Sequence, residues 1–287
     1  MDIPQVKTFF DQATATWTYV VWCGQTKACA VIDSVLDYDI FSGRTSTDSA
    51  DALISFIDTQ DLTLEWILET HIHADHLTAA AYLKKKLGAR TGIGVRIKEV
   101  LKTWQPLFQN DTDTPLTGEQ FDMLFEDGAR FSIGNLDAMF LSVPGHTPVD
   151  GAYVIGESVF VGDAMFLPDV GTGRCDFPGG SADDSYVSCQ KLLEFPDHYR
   201  MYVGHDYPPD GSRPIMAATT IGVQKEKNIR VRAGITQEDY VLTRQKDDEG
   251  KAVPKMLIPA LQVNLRAGSF GNPQNGVYYL KVPLNRL

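Results

Sequence analysis

Cysteine is scarce in this sequence. Its four residues, Cys23, Cys29, Cys175 and Cys189, form no Cys-x-x-Cys pair. That argues against a disulfide framework, fits a reducing cytoplasm, and leaves the thiols as small buried apolar groups. Long hydrophobic runs are missing too, since no stretch approaches the roughly 20 apolar residues that span a bilayer. The segment from Met1 to Phe10 has no basic stretch leading into an apolar one, so no secretory signal is expected. Positive charge is in deficit, with 26 Lys and Arg against 37 Asp and Glu, and the net charge of −11 argues against nucleic acid or an anionic membrane as partner. Neither a solenoid-length repeat nor a dividing linker stands out, so one domain over residues 1–287 is expected.

What is present is an unusual density of metal-competent side chains at one turn. Residues 70–76 read Thr-His-Ile-His-Ala-Asp-His. The run Leu64–Glu69 before it has the length and apolar content of a strand, and Leu77–Leu87 after it reads as a helix closed by Gly88. His71, His73, Asp75 and His76 therefore sit where a strand tip gives way to a turn, a usual place for chemistry on an α/β sheet. Buried together without a cation, such groups repel or go unsatisfied.

The flanking sequence reads as strands first, then strand–helix alternation, then both again. Thr14–Trp22 and Ala28–Ile32 are strand-like, the second ending at Asp33, and 37–46 is a polar loop. Thr47-Asp-Ser offers caps for a helix over 50–59, and 97–104 is a further helix. Residues 110–118 form a polar loop, and 121–143 is strand-like with turns at 126–128 and 134–135. A hairpin turns at Gly156-Glu157, between 153–155 and 159–161. Residues 183–193 and much of 214–232 read as helical, 201–203 as a short strand, and Thr236-Gln-Glu-Asp as a capping box opening another helix.

Three more segments place metal-competent groups just after apolar runs: His146 on a Pro-Gly turn, Asp163 in Val-Phe-Val-Gly-Asp, and His205 in Met-Tyr-Val-Gly-His-Asp-Tyr. Five of the six histidines thus lie at strand exits, His198 being the exception. Any one of them alone reads as a hydrogen-bonded turn histidine, but together they point to a metal site.

His-x-His-x-Asp-His at 71–76 with His146, Asp163 and His205 resembles the metallo-β-lactamase superfamily. The resemblance implies an α+β fold, an αββα sandwich of two mixed sheets flanked by helices, with the metal along one edge of the sheets. The segment Gly173-Arg-Cys-Asp-Phe177 beyond Asp163 is similar to the persulfide dioxygenases of that superfamily. Ala15–Tyr19, Val31–Tyr38 and His205-Asp-Tyr207 are similar as well. An insert around 97–135 and a tail from about 235 resemble a longer bacterial subgroup.

The ligand set itself could serve two sites. All seven residues could hold two zinc ions bridged by Asp163, as in a glyoxalase II-like thioesterase or a lactonase working through an activated water. The dioxygenase resemblance instead implies one Fe(II) held by His71, His146 and Asp163, with positions left for a persulfide sulfur and O₂. On that reading His73, Asp75, His76 and His205 orient the ligands, and Tyr207 is a gate or hydrogen-bond donor. Glutathione persulfide and O₂ are then the partners, the product is sulfite, and a homodimer is implied. Residues 211–235 set five cations against the single acid Glu226. Arg230 and Arg213 are the expected contacts for glutathione carboxylates. Arg174 is a third candidate, read mainly as an ion-pair brace with Asp176.

Overall fold

The computed structural model describes residues 3–109 and 112–286. Asn110 and Asp111 of the loop read over 110–118 lie outside the described residues, as do Met1, Asp2 and Leu287. The chain opens with β1 (Gln5–Asp11), β2 (Thr16–Trp22) and β3 (Ala28–Ile32), paired antiparallel in succession. Next come β4 (Val35–Asp39), β5 (Arg44–Ser46), α1 (Asp48–Thr59), β6 (Thr63–Leu68) and the two-residue β7 (Leu77–Thr78). These lead to α2 (Ala80–Leu87), β8 (Arg90–Gly94), α3 (Ile97–Phe108) and β9 (Met123–Phe125). The second half carries β10 (Arg130–Ile133), β11 (Leu136–Ser142), β12 (Gly151–Ile155), β13 (Ser158–Phe160), α4 (Ala182–Leu193) and β14 (Arg200–Tyr202). It closes with β15 (Ala218–Thr220), α5 (Ile221–Lys227), α6 (Gln237–Asp248) and α7 (Leu257–Asn264).

Two six-stranded sheets result, ordered β1-β2-β3-β6-β8-β9 and β10-β11-β12-β13-β14-β15. Both are mixed: β3, β6, β8 and β9 run parallel in the first, and β13 and β14 in the second. Tyr19, Phe140, Tyr153 and Phe160 fill the space between the sheets, with Tyr19 edge-on to Phe160 at 5.1 Å. Burial of each such side chain stabilises the fold by about 1.5–3 kcal/mol. Leu53 and Ile57 of α1, Leu83 of α2 and Val263 of α7 cover the outer face of the first sheet. Leu192 of α4 and Tyr240 of α6 belong to the core of the second. The layers are therefore helix, sheet, sheet, helix, the αββα sandwich with two mixed sheets expected from the resemblance. No helix among the described residues is long and apolar enough to cross a membrane.

Local departures from the sequence reading have physical causes. Leu77 and Thr78 pair with Leu36 and Val35, which delays the helix to Ala80. Residues 37–46 hold the β4–β5 hairpin rather than a loop, a mostly solvent-facing pair with little apolar alternation to betray it. Thr47 does not cap α1 with its side chain; the Asp37 carboxylate accepts from Ser49 N at 2.9 Å instead. The helix expected over much of 214–232 is broken into β15 and α5. Thr219 and Thr220 pair with β14, and the Asn228 side chain takes the N–H groups of Arg230 and Val231 to end the helix.

Candidate metal centre

The ligand candidates sit where strands have ended, on loops held by side chains and by isolated backbone bonds such as Gly173 N to the Asp163 carbonyl at 3.1 Å. After β6, Asp33 accepts from Thr70 N at 2.8 Å and Thr70 Oγ1 at 2.9 Å. Further along the same loop, Asn264 at the end of α7 donates to the carbonyls of His73 and His76, each at 2.8 Å, and accepts from Thr78 N at 2.8 Å. Asp163 follows β13 in a space that permits no Cβ nearby. One built on Gly173 would lie 2.2 Å from the Asp163 carbonyl, and one on Gly204 would lie 2.7 Å from Asp163 Oδ1. These glycines allow the 173 and 204 segments to close around the carboxylate.

The side chains then converge. His71, His146 and Asp163 each offer a donor atom, all within 4.8 Å of one another, and His73, Asp75 and His76 form a second group of the same size. Ring centroids of His71 and His73 are 4.1 Å apart, those of His73 and His76 4.3 Å, and those of His71 and His146 5.2 Å. Four buried atoms in this cluster have no hydrogen-bond partner among the described residues: His71 Nε2, His73 Nδ1, His76 Nε2 and Asp163 Oδ1. The opposite ring nitrogens are all engaged. His71 Nδ1 donates to Thr70 Oγ1 at 3.0 Å, and His146 Nδ1 to the Arg174 carbonyl at 2.6 Å. His205 Nδ1 donates to the Ala15 carbonyl at 3.0 Å, and His76 Nδ1 lies 3.0 Å from Asp75. His73 Nε2 lies 3.0 Å from Asp33 and 3.3 Å from Glu69. Fixing one ring nitrogen while leaving the other bare and buried is how metal-binding histidines are built, so these residues fit a cation.

Protonation follows the same logic. Burial, then the neighbouring His73 and His146, hold His71 well below the usual histidine range, which keeps its imidazole neutral. For His73 burial opposes charge, but Asp33 and Glu69 outweigh it and raise the imidazole well above its ordinary value. Burial likewise resists ionisation of Asp75, yet His205 and His76 hold it well below the carboxylate range. A divalent cation held by these donors would take the place of the protons.

The centre opens into a cavity of about 610 Å³ with Asp75, His146, Asp163 and His205 in its wall. Phe166, Phe177 and Tyr207 also line it, and Arg174, Arg230, Arg244 and Lys251 supply positive charge. Tyr207 stacks on His205 at 5.6 Å at the cavity wall, where its half-exposed phenol offers a donor. Arg174 forks onto Asp176 at 2.5 and 2.6 Å and lies 5.0 Å over the Phe177 ring, which meets His146 edge-on at 5.2 Å. Arg230 pairs with Asp247 through Nη2, while its Nε is buried without a partner.

Arg213 does not line this cavity. Asp169 and Asp206 occupy its guanidinium with four bonds of 2.7–2.8 Å, and it anchors the loop after His205. His198 is exposed, lies 3.6 Å from Glu157 and meets the Tyr199 ring at 5.1 Å, away from the cluster. Sequence reasoning missed Glu69, Asn264, and the buried Arg244–Asp248 pair, whose carboxylate accepts from Cys175 N at 2.9 Å. Asp33 had a signal, an acid at a strand exit like Asp163; Asn264 had none.

The model of the metallo-beta-lactamase superfamily matches residues 12–205. The chain belongs to this superfamily. It is 46% identical over 286 residues to the "Beta-lactamase hydrolase-like protein" of Agrobacterium fabrum, spanning 99% of this chain but only 66% of that protein. It is also 46% identical to "Glyoxylase B2" of Dictyostelium discoideum, over 99% of this chain and 98% of the relative. The mitochondrial "Persulfide dioxygenase ETHE1" of Bos taurus is 26% identical over 92% of this chain and 88% of its own length. Among solved structures, that of ETHE1 from Myxococcus xanthus superposes with a TM-score of 0.74 at 27% identity, covering 92% of this chain and all of that one. Within the metallo-beta-lactamase frame, α6 and α7 lie beyond the matched span.

Proposed function

We propose that this member of the superfamily is a glutathione-dependent persulfide dioxygenase. The reaction takes glutathione persulfide, O₂ and water to glutathione, sulfite and two protons; the terminal sulfur loses four electrons and O₂ gains them. The carrying observation is that the Gly-Arg-Cys-Asp-Phe segment, where the chain resembles the dioxygenases, supports one ligand directly. The Arg174 carbonyl takes the His146 Nδ1 proton, and the Phe177 ring packs on the same imidazole. Likeness to persulfide dioxygenases over 92% of the chain supports the same reading.

His71, His146 and Asp163 would hold one Fe(II), which supplies a redox-active centre with positions free for sulfur and for O₂. Arg230 and Lys251 sit where cations can receive the carboxylates of the tripeptide. Phe166 and Phe177 exclude water from the sulfur, and Tyr207 offers a hydroxyl proton beside Asp163. Asp75 accepts from Thr16 Oγ1 at 3.2 Å and holds His76 and His205 in place.

A second reading, a thioesterase or lactonase with two zinc ions, is favoured by the His73, Asp75 and His76 group and by the relative named glyoxylase. Metal analysis of anaerobically purified protein, followed by oxygen uptake with glutathione persulfide, separates the two. One iron per chain, uptake and sulfite release are expected. Two zincs, thioester cleavage and no uptake under the same conditions would transfer the assignment to the hydrolase.

A further inference from the structure

Adjoining His146 is a second, small cavity of about 20 Å³. Its wall is Ile72, Val100, Trp104, Pro148, Leu257 and Leu261, closed by Ala74, Phe177, Pro178, His146 and Thr147. It shares Ala74, His146 and Phe177 with the main cavity. Val100 and Trp104 come from α3, Leu257 and Leu261 from α7, so its outer wall is built by the insert and the tail.

The volume is that of about one water or one diatomic molecule. Water needs two to four polar partners to stay in such a space. The wall's polar side chains, the Trp104 indole apart, are already engaged. His146 Nδ1 donates to the Arg174 carbonyl at 2.6 Å and its Nε2 faces Asp163 at 3.6 Å, while the Thr147 hydroxyl donates to Asp150. A dry apolar pocket of this size accepts small apolar gases, as engineered apolar cavities accept xenon.

We infer that this cavity is a dioxygen pocket, in which α3 and α7 hold the gas against His146 and Phe177, beside the metal group. The inference rests on the dioxygenase reading for the identity of the gas, though not for the existence of the pocket. It separates the route of the apolar reactant from that of the charged one, which enters past Arg230 and Lys251.

The test pairs xenon-pressurised crystals with steady-state kinetics at varied O₂. Xenon is expected between Val100, Trp104 and Leu261 in the parent protein and absent in Val100→Phe, whose ring fills the space. Val100→Phe should raise KM for O₂ about tenfold while leaving KM for glutathione persulfide within twofold. Val100→Leu, which adds one methylene and disturbs packing less, should lie between, and it carries the test if the phenylalanine variant does not fold. No xenon in the parent cavity, or an unchanged KM for O₂ in a variant whose crystal structure shows the cavity filled, overturns the pocket. Xenon in place with no oxygen consumed at all overturns the dioxygenase reading instead, leaving a gas-sized void without that role.

Discussion

Arg230 is the cation whose chemistry is least spent. Its Nη2 is held by Asp247, yet its Nε is buried without a partner in a residue that lines the cavity. A substrate carboxylate can satisfy that donor, and a charge-assisted bond of this kind contributes about 1.5–3 kcal/mol. Arg230→Ala is therefore expected to raise KM for glutathione persulfide roughly 10–100-fold with kcat nearly unchanged. Lys cannot reproduce the planar fork, so Arg230→Lys should recover only part of the loss. Equal falls in kcat and kcat/KM would place Arg230 in the chemistry and not in binding. Asp150 poses a different residue-scale question. Burial raises its carboxyl from an ordinary 3.8 to about 6, despite the bonds from Thr147 N and Oγ1. A carboxyl raised on folding binds its proton more tightly in the folded state, so stability is lost as pH climbs from about 4 to 6. Asp150→Asn removes that dependence. In urea, metal-free variant minus parent should shift by roughly 2–3 kcal/mol in the variant's favour between pH 4 and pH 7. A flat difference would mean that Asp150 does not titrate in that interval.

At the scale of elements, α7 belongs to the metal site although it lies beyond the superfamily span. Asn264 satisfies the carbonyls of His73 and His76 and the N–H of Thr78 between β6 and α2, and all four residues are buried. Asn264→Leu keeps the size but leaves those three groups unpaired, so the loop loses its set position. Metal affinity, measured by chelator competition, should fall about 10–100-fold, the range seen when supports of ligands are removed. Asn264→Asp keeps the acceptor for Thr78 N and loses both donors, so it should weaken affinity as well; parental affinity in both variants would make α7 simple packing. Sequence could not announce this residue, because an Asn near the end of a short helix looks like any other until the helix is placed. The candidate ligands stood out in the sequence for the opposite reason. His71, His146, Asp163 and His205 each follow an apolar run, and strand exits are where a sheet exposes side chains to chemistry. The layered sandwich was legible from the same alternation. β1, the β4–β5 hairpin and β15 were not, since their side chains are largely half-buried or exposed and carry little apolar signal. Charge counting suggested Arg213 as a substrate cation, but it could not see that Asp169 and Asp206 already claim it.

At the scale of the molecule, the centre joins two sheets that meet through apolar packing and a few hydrogen bonds, among them Trp17 N to the Gly204 carbonyl at 2.9 Å and Gly151 N to the Thr70 carbonyl at 2.9 Å. The loop after β6 leaves the first sheet, whereas His146, Asp163 and His205 follow strands β11, β13 and β14 of the second. A cation bound between them would tie the layers together; one held by His71, His146 and Asp163 would satisfy two of the four partnerless buried atoms, His71 Nε2 and Asp163 Oδ1. Binding to the folded chain alone stabilises it by about 4 kcal/mol when free metal exceeds its dissociation constant a thousandfold. For a chain of this size that corresponds to roughly 10 °C in the unfolding midpoint. Stripping metal with a chelator should therefore lower the calorimetric midpoint by about that amount, and anaerobic Fe(II) should restore it. Stoichiometry then speaks to the mechanism. Full recovery at one equivalent per chain is the result expected from the proposed function, in which His71, His146 and Asp163 would hold a single ion. A second rise between one and two equivalents would show that His73, Asp75 and His76 take a metal of their own, and a midpoint indifferent to metal would mean the donors are satisfied by protons instead.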